Sequence, residues 1–178
     1  MKKLEEYFKI TSYTRKFKTR YRIGLFLVFV LIVVLINMCL NKKDRDENVF
    51  LKGLNLKLTL KVKVIRPTGN HGYGVILAEV IHSNTPRDYS ATYKSEYTFC
   101  KIKDNNILFV SDYYVMEVND IIVVNSEILK YWIYRKGKLI SAYNLTNTTD
   151  VFLYRDIEKK KYLDFKTYGK YLLPEKQE

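Results

Sequence analysis

LKLTLKVKVIR, residues 56–66, is where the fold declares itself. Leu56, Leu58, Leu60, Val62 and Val64 alternate with Lys57, Thr59, Lys61 and Lys63. A period of two belongs to a strand, whose successive side chains point to opposite faces. The stretch predicts a half-buried strand with a lysine-lined outer face. Downstream, RPTGNHGYG breaks the pattern with Pro67, Gly69, Gly72 and Gly74, and GVILAEVIHS reads as a second strand. The two form a hairpin with an irregular tip.

The same grammar continues to the C-terminus. SNTPRDYS reads as a loop, and EYTFCKIK alternates again before the DNN turn into ILFV. SDYYVMEV reads as a short helix or an irregular crossover. VNDIIVV enters a strand through a turn at Asn119 and Asp120. ILKYWIYRKGKLISAYNL is a further hairpin, with Arg135 to Lys138 at its tip and Gly137 supplying a positive φ. VFLYRDI reads as a last strand, and the stretch from Glu158 carries Tyr162, Phe165, Tyr168 and Tyr171 in no decisive pattern.

Six or seven short strands without βαβ alternation predict a mainly β domain at 56–155, followed by a C-terminal tail at 156–178. The expected architecture is a small β-barrel or sandwich, and a five-stranded OB-like barrel is the specific expectation. Sixteen tyrosines against one tryptophan lean the same way, because tyrosine suits pleated surfaces. The layout resembles small single-pass bacterial membrane proteins with an OB-like β domain. In those the matching turn reads V-G-D-x-I; here it is Val118, Asn119, Asp120, Ile121, Ile122. Asn tolerates the left-handed conformation that Gly supplies there. The resemblance covers about residues 56–145 and implies architecture, with no activity attached.

Upstream, Ile23 to Leu40 is a run of 18 residues without a charge. At about 1.5 Å per helical residue it just crosses a hydrocarbon core. It is apolar all round, unlike a core helix with a polar face. Three readings compete. A cleaved signal would be shorter and end in a small-x-small site. A lipoprotein signal needs a small residue before the cysteine, and Met38 precedes Cys39. An uncleaved signal anchor, a transmembrane helix at 23–41, fits best.

Net charge is +12, and the first 22 residues hold eight Lys and Arg against two Glu. The positive-inside rule predicts a basic cytoplasmic tail at 1–22, a linker at 42–55, and residues 42–178 outside the cell membrane. Tyr13, Phe17 and Tyr21 recur one helical turn apart among Arg15, Lys16, Lys18, Arg20 and Arg22. That spacing suits a membrane-interface belt on anionic lipid headgroups, with a plain basic tail as the alternative.

Catalytic patterns are sparse. GNHGYG has the glycines of a phosphate loop but leads into a strand where such loops open a helix, so it reads as a hairpin tip. His71 and His82 with one domain cysteine do not make a zinc motif. His82, Ser83 and Asp88, or Cys100 with His71, can be grouped on paper without an elbow or motif to mark them. Two N-x-T triplets at Asn144 and Asn147 read as chance. The expectation is a non-enzymatic interaction module with no cofactor, bound to an envelope protein. Its expected interaction face is Lys57, Lys61, Lys63, Tyr131, Trp132, Tyr134 and Arg135. Single-stranded nucleic acid, stacked on those aromatics beside the cations, is the less favoured partner.

Overall fold

A computed structural model describes residues 2–69, 72–146 and 149–172, with side chains from residue 21 onward. The chain divides into two units, 1–45 and 46–178. Helix α1, Lys2–Leu54, supplies the whole of the first. It contains a stretch near the N-terminus long and apolar enough to cross a membrane. Phe26, Leu31 and Ile36 are among its exposed apolar side chains.

The second unit is mainly β, with strands β1 (Lys57–Pro67), β2 (Tyr73–Ser83), β3 (Asp88–Tyr93), β4 (Tyr97–Lys103) and β5 (Asn106–Asp112). β6 (Ile121–Asn125), β7 (Lys130–Arg135) and β8 (Lys138–Asn144) follow. Among the described residues they form one eight-stranded antiparallel sheet, ordered β3-β4-β5-β2-β1-β6-β7-β8. The sheet does not close, so the expected barrel is replaced by an open sheet. Closure requires the first and last strands of the order to pair. Here β3 and β8 remain edges. One core joins Phe99 and Ile102 of β4 to Ile122 of β6 and Ile133 of β7, with Leu51 from the last turns of α1 among them.

The opposite face carries a second, smaller core. Val75 and Leu77 of β2 and Leu108 and Val110 of β5 meet Leu153, Tyr154 and Ile157 of helix α2 (Val151–Lys159). Tyr168, from the 3-10 helix Phe165–Tyr171, completes it. VFLYRDI is therefore a helix, not a strand. Asp150 caps it, accepting from the Phe152 and Leu153 amides, and Leu153 and Ile157 fall one turn apart on its buried side.

Three further differences from the sequence reading have local causes. β3 begins inside the stretch read as a loop and runs past it to Tyr93, with Tyr89 and Ala91 pairing with Ile102 and Cys100 of β4. Residues read as a linker stay helical through Leu54, and Leu51 and Leu54 join the main core. The tail from 156 completes α2 and the 3-10 turn over the sheet.

β1 is the central strand, pairing with β2 on one side and β6 on the other. Its alternation holds for Leu58, Leu60 and Val62, all in the main core. At Lys63 the ladder slips: Val62 faces Ala78 and Val64 faces Leu77, so Lys63 is an extra residue. Such a bulge inverts the phase. Val64 turns to the second core and Ile65 to the first. One strand thus serves both faces.

Candidate functional site: the outer face of β6, β7 and β8

Among the described residues, α2 and the 3-10 helix pack on the outer face over β2 and β5 and the adjoining parts of β1 and β4. On the other half, Ile122, Val124, Tyr131 and Ile133 point into the core, so Ile121, Val123, Trp132 and Tyr134 point away from it. Register lines these up in rows. Thr59, Val123, Trp132 and Ala142 lie side by side across four strands, and Lys61, Ile121, Tyr134 and Leu139 form the next row. A third row, Lys57, Asn125, Lys130 and Asn144, closes one end. The result is an apolar, aromatic platform with lysines at its margin. Ile121, Val123, Trp132 and Tyr134 are each half-buried by their neighbours, and Leu139 is 55% exposed.

The seven residues expected to form one interaction face separate into two groups. Lys57, Lys61, Trp132 and Tyr134 sit on this platform. Tyr131, Arg135 and Lys63 do not share it. Tyr131 is in the core, stacked on Tyr143 at 5.5 Å, and its hydroxyl donates to Asp112 at 3.0 Å. Burial, reinforced by the Asp112 charge, pushes that phenol far up. Arg135 is clamped to Asp120 and Glu117. Lys63, at the bulge, donates to the Tyr171 carbonyl and lies 3.9 Å from Glu79; burial lowers its pKa. The signal that separates the groups is the IIVV of β6. Its alternation decides which residues of β7 look out, but only once the register is known.

Of the residues grouped in the sequence, Ser83 shares a hydroxyl hydrogen bond with Thr85 at 2.7 Å. Cys100 is fully buried, and burial pushes its thiol up to about 12, which keeps it protonated and inert at neutral pH. His82 is exposed, opposite Thr59 on β1. His71, Asn147 and the side chains of Tyr13, Arg15, Lys16, Phe17, Lys18 and Arg20 lie outside the described residues. The backbone of α1 is helical through positions 13, 17 and 21, and Tyr21 and Arg22 are exposed on it. Among the described residues no group of three or more His, Cys, Asp or Glu converges as metal ligands would. Compared with protein-family models, curated proteins and solved structures, the chain matches none.

Proposed function

We propose that the protein is a membrane-tethered binding module. Residues 1–22 lie in the cytoplasm against anionic headgroups, residues 23–41 cross the cell membrane, and the β domain works outside it. Its outer platform recognises an envelope protein. The observation that carries this reading is an uncovered sheet face with Trp132 and Tyr134 at its centre and lysines at its rim. A half-buried aromatic patch framed by charge is the composition of a recognition surface. The mechanism is tethering: the anchor confines the domain to the membrane, which raises its effective concentration near partners there.

The test is crosslinking in intact cells, followed by isolation of the tagged full-length chain. One or two dominant envelope proteins are expected, reduced at least fivefold by Trp132→Ala with Tyr134→Ala. Recovery of nucleic acid, or of the protein alone, overturns the reading. Protease added to intact cells should remove the β domain; full protection would reverse the orientation.

A further inference from the structure

We propose that β8 is a docking edge for an extended acidic segment of a partner protein, which adds to the sheet as a ninth strand. The proposal rests on the binding-module reading and specifies how the module binds.

β8 ends the strand order and has β7 as its one strand neighbour. An edge strand presents a row of main-chain donors and acceptors that another chain can complete. Folded proteins blunt such edges with charge, proline, bulges or cover. From Leu139 to Tyr143 β8 carries neither charge nor proline, and Leu139 and Ile140 are 55% and 45% exposed. A bulge at Ile140, the extra residue between the pairs Ile133–Ser141 and Tyr134–Leu139, kinks the first half. The regular ladder from Ser141 to Asn144 is left as the pairing track.

The other edge, β3, is treated differently. Ala91 is buried, Tyr89 is half-buried against the main core, and Tyr93 packs on Phe50 of α1 with ring centroids 5.0 Å apart. β3 is packed against the core and α1, whereas β8 leaves Leu139 and Ile140 exposed.

Charge selects the occupant. Residues 128–149 contain no Asp or Glu. Lys130, Lys136 and Lys138 are exposed around β8, and Arg135 is the cation of this hairpin that internal carboxylates neutralise. An acidic strand supplies the missing countercharge, with alternate side chains reaching the lysines and the Leu139–Ile140 step. A second copy of this chain would set the same lysines against each other. Nucleic acid could stack on Trp132 and Tyr134, but it would leave the main-chain row and the aliphatic step unused.

The experiment uses the full chain in nanodiscs of neutral phosphatidylcholine. The probe is a fluorescent eight-residue peptide alternating Glu and Val, read by anisotropy. Saturable binding is expected, weakened about tenfold when the four central amides of the peptide are methylated. Leu139→Lys with Ile140→Lys adds positive charge at two exposed positions, so it separates the possibilities. Strand addition predicts a loss of about tenfold; attraction by charge alone predicts a gain. Equal binding of the methylated peptide, a gain with the double variant, or stronger binding of oligothymidine each overturns the proposal. If no peptide binds although crosslinking captures an envelope partner, the docking edge is rejected and the binding-module reading survives.

Discussion

Asp120 receives both arms of Arg135: Nε donates to Oδ1 at 2.9 Å and Nη2 to Oδ2 at 2.9 Å. The same carboxylate accepts from the Glu117 amide at 2.8 Å, and Nη2 also donates to the Val115 carbonyl at 2.9 Å. Asp120 is 1% exposed. The pair ties the crossover between β5 and β6 to the tip of β7. Removing either partner strands the other, which is the costly way to break a buried pair. Asp120→Asn keeps the shape and loses the charge, so its unfolding midpoint should fall by roughly 5 °C or more in a thermal melt.

The pair also gives stability a pH dependence. The hydrogen bonds from Arg135, more than its charge, hold the Asp120 carboxyl below the usual range. A depressed carboxylate stabilises the fold above its unfolded pKa, and the benefit is lost as pH falls from about 4 through the lower folded value. Asp112 runs the other way, since burial raises its pKa. Its contribution is most favourable at low pH and declines as pH rises through the window from about 4 to that higher value. Asp112→Asn should therefore be no less stable than the parent at pH 7, while the disadvantage of Asp120→Asn shrinks progressively as pH falls below about 4. Melts between pH 3 and pH 7 measure both; a lower midpoint for Asp112→Asn at pH 7 would reject the assignment.

The bulge makes a sharp prediction from two single-residue deletions. Without Lys63, regular alternation still sends Val64 outward and Ile65 inward, as they are placed now. Without Lys61, alternation brings Lys63 to the core position of Val62. The first chain should unfold cooperatively; the second should not fold. Circular dichroism and denaturant titration distinguish them.

That strand also shows what was legible. Its period of two is written in the sequence, and so are the hairpins turned by Gly137 and by Asp104 to Asn106. The phase reversal is not, because it is decided by where Ala78 and Leu77 lie on β2. Tyr131 and Trp132 are equally aromatic in sequence; pairing with Val124 and Val123 sends one inward and one outward. Five apolar residues in the seven of VFLYRDI fit a strand as well as a helix, and the Asp150 cap that settles α2 is a single residue. The candidate platform was half visible for the same reason: composition names its residues, and register alone assembles them.

Gly72 sits at φ +75°, and an added Cβ would run into the Tyr114 ring. That ring is 74% exposed and can swing aside, so the backbone strain is the part that remains. Gly72→Ala should cost about 1–2 kcal/mol, and adding Tyr114→Ala should recover little of it. Full recovery would show the ring contact to be the dominant cost.

Cys39 is exposed on α1 and Cys100 is sealed in the core. Iodoacetamide at pH 7.5 should leave Cys100 unmodified until denaturant unfolds the sheet. Rapid labelling of Cys100 in a Cys39→Ser chain would reveal a local opening of β4.

The central place of β1 has a consequence for how the chain is made. Its hydrogen-bonding partner on one side is β2, which follows at once; on the other it is β6, which emerges only after three more strands. Until then the alternating Leu and Val of β1 border an unfilled seam. Long-range pairing of this kind is slow and leaves the unfinished chain open to association. A polypeptide halted before Ile121 would carry that seam permanently. Premature arrest there should yield a far stickier fragment than arrest after Asn125.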